Sequence, residues 1–292
     1  GTVGYWNQTS VSPAQNAGWG SVGTFGIGST ASYQSGLPGG TLAGYLATGQ
    51  YAADYNQVKE LGSDSSVTRS SDQLIQAYFW SAPTGSVQVP GMWNQIAQSV
   101  ASSSGLTISD STRLFAALNV AMADAGISAF ATAYDVQFWR PETGIANGGD
   151  GFVDIDGNPS TVGDGAWVPL IRSPDFPEYV SLTGAFSGAA AAVLNQYAGS
   201  SYAFTLGGDI DGDGNSDLVR NFCGFDQASL EATMSGIYAG TQFASSAIDG
   251  ASMGTQIGED ITQNFFQNVP EPSGILLTML GIGWVGARRR RA

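Results

Sequence analysis

The apolar positions of this chain fall mainly at helical spacing. From Thr41 onward, Leu42, Tyr45, Leu46, Tyr51, Tyr55 and Val58 recur every three or four residues until Gly62 interrupts them. That period marks one helix face turned to a core. Residues 71–81 and 91–104 repeat the pattern around the aromatic anchors Phe79, Trp80 and Trp93. A longer helix is predicted over 110–138, with Ser109 as its N-cap and Leu114, Leu118, Met122, Ile127 and Phe130 as its apolar stripe. Residues 177–197 are so dense in Gly and Ala that a helix there can approach its neighbours closely, as suits the centre of a bundle. Two further helices fit 226–243 and 247–266, and strand signals are few and short. The expected fold class is all-α, a helical bundle with Gly/Asp-rich loops at 147–166 and 207–217. Residues 1–42 carry Gly, Ser and aromatics without helical period and read as an extended segment leading into a domain at 43–268.

Charge sharpens this picture. Only 12% of the 292 residues are charged, while 42% are hydrophobic, a balance that suits a folded chain. Ten basic residues face 24 acidic ones; four of the basic residues are Arg288, Arg289, Arg290 and Arg291, and one acidic residue is Glu271. The body through residue 268 therefore holds six basic against 23 acidic residues, a net −17. So acidic a surface repels nucleic acid and anionic membranes, which excludes nucleic acid as a partner, and it favours divalent cations. Cys223 stands alone, so no intrachain disulfide forms; it reads as a small buried apolar residue. The chain contains no histidine. That removes Ser-His-Asp catalysis, Cys/His metal clusters and imidazole acid–base chemistry.

Residues 269–292 form a separate tail. Val269-Pro270-Glu271-Pro272-Ser273 is followed by an apolar run from Gly274 to Ala287 and then by the four arginines. As a helix the run would extend roughly 21 Å, short of the roughly 30 Å hydrocarbon layer, so it suits a temporary anchor with its arginines cytoplasmic. The tail resembles the PEP-CTERM sorting signal in Pro270, Glu271, Pro272 and Arg288–Arg291. The resemblance implies an exosortase-type sorting enzyme as partner and transient membrane contact through the tail. It also implies export to the cell surface or extracellular matrix of a Gram-negative bacterium, among exopolysaccharide or surface proteins. Gly1-Thr-Val-Gly4 has neither a basic start nor an apolar core, so the expectation is that an N-terminal portion has been processed or is missing.

One loop carries metal-ligand spacing. Asp209, Asp211, Asp213 and Asp217 occupy loop positions 1, 3, 5 and 9, Gly214 permits a sharp bend at position 6, and Asn215 offers a backbone carbonyl at position 7. Carboxylates so spaced turn inward around one hard cation, and calcium is the predicted cofactor. Arg220 stands where an EF-hand would place its closing Glu, so a further ligand would come from Asp226, another loop or water. A weaker cluster at 150–158 (Asp150, Asp154, Asp156 and Asn158) lacks the full pattern for a second ion.

Two more stretches carry a resemblance: Tyr134-Asp-Val-Gln-Phe-Trp-Arg-Pro141 and Phe176-Pro-Glu-Tyr-Val-Ser-Leu-Thr-Gly-Ala-Phe-Ser-Gly188. Both resemble the oxyanion-pocket segments of vanadium-dependent haloperoxidases, relatives of the phosphatidic acid phosphatase type 2 enzymes, and the likeness covers roughly residues 5–266. It implies a helical bundle of that type. In that family a Lys seven residues before an Arg-Pro, a Ser-Gly-His at a helix start, and an Arg six residues before a ligand His make the pocket. Here Arg140 and Ser181 match. Ala133 stands at the lysine position, Leu182 and Thr183 replace Gly-His, Gly236 stands for the second arginine and Gln242 for the ligand histidine. The resemblance therefore implies a scaffold with degenerate chemistry and no vanadate. Arg140 is expected to pair with Asp135, Glu142 or another buried carboxylate.

The expected role is binding or structural. One alternative is an active haloperoxidase or phosphatase whose pocket has been rebuilt with cations drawn from Lys59, Arg69, Arg113, Arg172 or Arg220. Another is a glycan-binding module with an exposed row of aromatics.

Overall fold

A computed structural model of the chain describes residues 2–8, 13–34, 36–146 and 156–266. The tail at 269–292, with the expected sorting motif, and the carboxylates Asp150 and Asp154 lie outside the described residues. Among the described residues the chain forms nine α-helices and one two-stranded antiparallel ribbon. In chain order these are α1 (Leu42–Leu46), α2 (Gly49–Leu61), α3 (Ser71–Ser81), α4 (Gln88–Ser103), α5 (Ile108–Val136), α6 (Pro141–Ala146), α7 (Leu182–Ala198), β1 (Phe204–Gly208), β2 (Leu218–Phe222), α8 (Phe225–Tyr238) and α9 (Ala244–Asn264). The architecture is the mostly helical one expected.

Local chemistry explains where the helices start. Ser70 and Gln73 form a reciprocal capping box on α3. Thr107, two residues ahead of the predicted cap Ser109, accepts from the Asp110 N–H at 3.1 Å and opens α5. The single helix predicted from Thr41 to Gly62 is two, because Thr48 donates to Tyr45 O at 2.7 Å and accepts from Tyr51 N–H at 3.1 Å. One hydroxyl thus closes α1 and caps α2. The helix predicted from 177 begins at Leu182, with Ser181 accepting from Gly184 N–H at 3.0 Å.

Helix α7 is the centre of the bundle, packed against α4, α5, α8 and α9. Its seam with α9 shows why Gly and Ala dominate there. A methyl group added at Gly188 would run into the Ala251 carbonyl, and one at Gly254 into the Ala185 carbonyl. The two backbones touch, and no larger side chain fits between them. Helix α5 is apolar enough along its length to cross a membrane, but most of it is buried in this core. Two aromatic clusters complete the interior. Tyr45, Tyr51, Phe138 and Phe243 meet beside α2, and Phe79, Trp80, Trp93 and Phe222 meet where α3 and α4 meet the ribbon.

The N-terminal segment is pinned at two places. Gly4 and Trp6 exchange backbone hydrogen bonds with Trp139 and Gln137. Asp124, fully buried on α5, accepts from the N–H groups of Phe25, Gly26 and Ile27 at 2.7, 2.8 and 3.0 Å. A buried carboxylate is tolerable here because three donors converge on it.

Candidate functional site

Helix α5 ends at Gln137, whose left-handed conformation turns the chain so that Phe138, Trp139 and Arg140 run into the core. Arg140 is 2% exposed. Its Nε donates to Phe176 O at 2.9 Å, Nη1 to Thr241 O at 3.0 Å and Nη2 to Pro177 O at 3.3 Å, while its guanidinium lies 4.5 Å from the Phe176 ring centre. Among the described residues the acceptors of its hydrogen bonds are these three backbone carbonyls, and Asp135 sits exposed at the surface. The carboxylate whose field reaches Arg140 most strongly is Glu178, which is fully buried and stands inside the Phe176–Tyr179 stretch. Burial pushes the Glu178 carboxyl up to about 8, against the pull of Arg140 and of the Phe243 N–H. Its Oε1 accepts that N–H at 2.9 Å, and its Oε2 has no hydrogen-bond partner among the described residues. Burial likewise lowers Arg140 to about 10, Glu178 opposing.

Ser181, fully buried at the N-cap of α7, donates from Oγ to Gln242 Oε1 at 2.8 Å. Gln242 reaches that position because Gly236 lacks a side chain: a methyl group at Gly236 would collide with Gln242 Oε1. The Gly236 carbonyl also accepts from the N–H groups of Thr241 and Gln242 at 2.9 and 3.2 Å, which fixes the turn between α8 and α9. Arg140, Leu182, Thr183, Gly236 and Gln242 all line one cavity of about 340 Å³, and Ser181 lies behind Gln242. Ala133, the seventh predicted position, is buried within α5 and is not among the lining residues.

The other cations are engaged elsewhere. Lys59 donates to Val162 O at 2.6 Å, and Arg69 donates to the Leu61, Ser63 and Tyr238 carbonyls at 2.7, 2.8 and 3.2 Å. Arg113 pairs with Asp110 at 3.2 Å, and Arg220 bonds Asp72 and Glu231 at 3.0 and 2.7 Å. Of the candidates for a rebuilt pocket, Arg172 alone among the described residues joins Arg140 in lining the cavity, and it pairs with Asp175 at 3.2 Å.

The acidic loop spans the turn between β1 and β2, whose register sets Gly208 opposite Leu218. Oxygens of Asp209, Asp211 and Asp217 lie within 4.8 Å of one another. Asp213 stays outside that group, its carboxylate accepting from Asn215 N–H at 2.8 Å and from Asn215 Nδ2 at 3.1 Å. Burial is the largest single influence on Asp209 and acts to raise it, but N–H donation, from Gly212 and Gly214 foremost, together outweighs it and holds the carboxyl below the ordinary range. Gly212 and Gly214 both have left-handed φ angles (82° and 89°), which lets the loop curl back on Asp209. In the weaker cluster, Asp156 accepts from Asn158 N–H at 2.9 Å and from Thr161 Oγ1 at 2.8 Å, and Asn158 Nδ2 donates to Leu46 O at 2.8 Å. Those two residues build a turn. Cys223, expected in the core, is exposed just past β2.

A central small-residue helix, a buried arginine entering from the end of a long helix, and a cavity at the α7 N-terminus place the chain among proteins with the vanadium haloperoxidase helical fold. The chain belongs to the family defined by the VCPO second helical-bundle domain, whose model matches residues 113–270. It is 31% identical over 155 residues to vanadium chloroperoxidase of Curvularia inaequalis, a match covering 46% of this chain and 24% of that protein. A bacterial vanadium-dependent iodoperoxidase structure superposes with a TM-score of 0.71 at 23% identity, covering 89% of this chain and 60% of the other. A holo-type bacterial vanadium-dependent chloroperoxidase gives 0.64 at 12% identity, covering 85% and 54%. The chain thus spans about a quarter of the length of the curated relative and between half and two thirds of those two solved chains.

Proposed function

We propose that this chain is a catalytically degenerate member of the haloperoxidase-like family with a binding or structural role. The observation that carries the reading is the contact between Ser181 and Gln242. Where turnover would need an imidazole bonded to the central atom and a second acid–base group beside it, an amide and a hydroxyl satisfy each other at 2.8 Å. A vanadate cofactor does not fit these residues. The chain has no histidine, Gly236 supplies no cation, and the Arg140 donors are directed at backbone carbonyls. Arg140 spent on carbonyls and Arg172 paired with Asp175 leave little positive charge to offset that of a bound oxyanion.

The remaining parts of the reading concern surroundings. Calcium held by Asp209, Asp211 and Asp217, with Asn215 and water completing the shell, would cancel the repulsion among carboxylates gathered within 4.8 Å. The tail motif supports export by an exosortase-type enzyme to the cell surface or matrix. The test of the central reading is turnover. The protein supplied with vanadate, peroxide and bromide or iodide should oxidise no halide above blank, and it should hydrolyse no phosphate monoester. Steady turnover of either kind would return the pocket to the enzymes.

A further inference from the structure

The cavity over the Ser181–Gln242 contact offers uncharged hydrogen-bonding groups. Gln242 is 7% exposed, and its Oε1 is taken by Ser181, whereas its Nε2 has no hydrogen-bond partner among the described residues. Gln242 itself lines the cavity. Thr183 lines the same space, and its hydroxyl is likewise without a partner among the described residues. The walls are the apolar faces of Phe176, Phe186, Leu182 and Ile171. Charge in the cavity is matched locally, Arg140 by three carbonyls and Arg172 by Asp175. The surrounding body carries a large excess of carboxylates. Such a field disfavours an anion arriving from solvent.

Resting on the reading above, that oxyanion chemistry has left this pocket, we propose that the cavity binds an uncharged, hydroxyl-rich small molecule the size of one sugar ring. The Gln242 amide and the Thr183 hydroxyl would donate to its oxygens, and the aromatic walls would cover its C–H face. About 340 Å³ lies at the small end of ligand pockets, enough for one ring but not for an oligomer. Binding through so few groups places single sugars in the millimolar range.

The experiment is saturation-transfer NMR on the full chain with glucose, galactose and N-acetylglucosamine, set beside glucuronate, phosphate and orthovanadate. The expected result is transfer to at least one uncharged sugar. Gln242→Glu, which keeps the acceptor for Ser181 and removes the amide donors, should weaken it roughly tenfold, as should the isosteric Thr183→Val. Unchanged affinity in both folded variants would overturn the location. Preference for glucuronate would overturn the uncharged class. No transfer to any sugar would overturn this inference and leave the degenerate reading standing. Displacement of a bound sugar by orthovanadate, or binding of orthovanadate alone, would overturn both.

Discussion

The pocket at the α7 N-terminus and the acidic loop between β1 and β2 treat charge in opposite ways. In the pocket the polar groups are buried and consume one another. Ser181 bonds Gln242, Arg140 bonds three carbonyls, and Glu178 is held beneath it in a site that disfavours its ionised form. In the loop, carboxylates are gathered, Asp211 and Asp217 exposed and Asp209 half-buried, with backbone N–H groups as their partners. Burial is the reason for the difference. A core cannot hold unmatched charge, so losing the partners of an ion site leaves residues that must close on each other. A solvated loop can keep several like charges together and wait for a cation.

Breaking the scaffold beneath the pocket has the largest expected effect. Gly254→Val would force α9 away from the Ala185 carbonyl, and we expect a loss of about 3 kcal/mol or more, read as a fall in denaturation midpoint. Next comes the loop. Calcium at a hundredfold excess over its dissociation constant should stabilise by about 2.7 kcal/mol, so a chelator should lower the melting temperature. Asp211→Ala should abolish that shift, whereas Asp213→Ala should reduce it less, because its carboxylate is outside the cluster. A melting curve that ignores the chelator would end the calcium reading and, with it, half of the contrast.

Two smaller effects sharpen the pocket side. Ser181→Ala removes both the α7 cap and the Gln242 bond and should cost about 1–2 kcal/mol. Glu178 gives a pH dependence with a defined sign. An acid whose folded pKa lies above its unfolded value, about 8 against roughly 4.3, binds a proton in the folded state that the unfolded state has released. Stability therefore falls as pH rises through that window. Glu178→Gln should melt like the parent at pH 4 and a few degrees higher at pH 9; equal slopes in the two proteins would show that the carboxyl is ionised throughout.

The helices were legible in the sequence because their apolar periods are long and several of them, α1, α2, α3, α5 and α7, open on a Ser or Thr cap. The break at Thr48 was not, since nothing in the spacing distinguishes a hydroxyl facing solvent from one bonded to Tyr45 O. The pocket positions were legible through their flanks, and six of the seven gather at one cavity. Glu178 lay in plain view inside the Phe176–Tyr179 stretch, yet its importance comes from burial against Arg140, 38 residues earlier in the chain. Cys223 was misplaced for a similar reason. Its burial tendency as a residue type is overridden where β2 ends at the surface.

The central claim is that the pocket no longer holds an oxyanion, and calorimetric titration of orthovanadate into the calcium-loaded protein tests it most directly. We predict no heat of binding up to millimolar vanadate. Saturable binding at micromolar concentration, lost in Arg140→Met, would contradict the account and show a pocket rebuilt around that arginine.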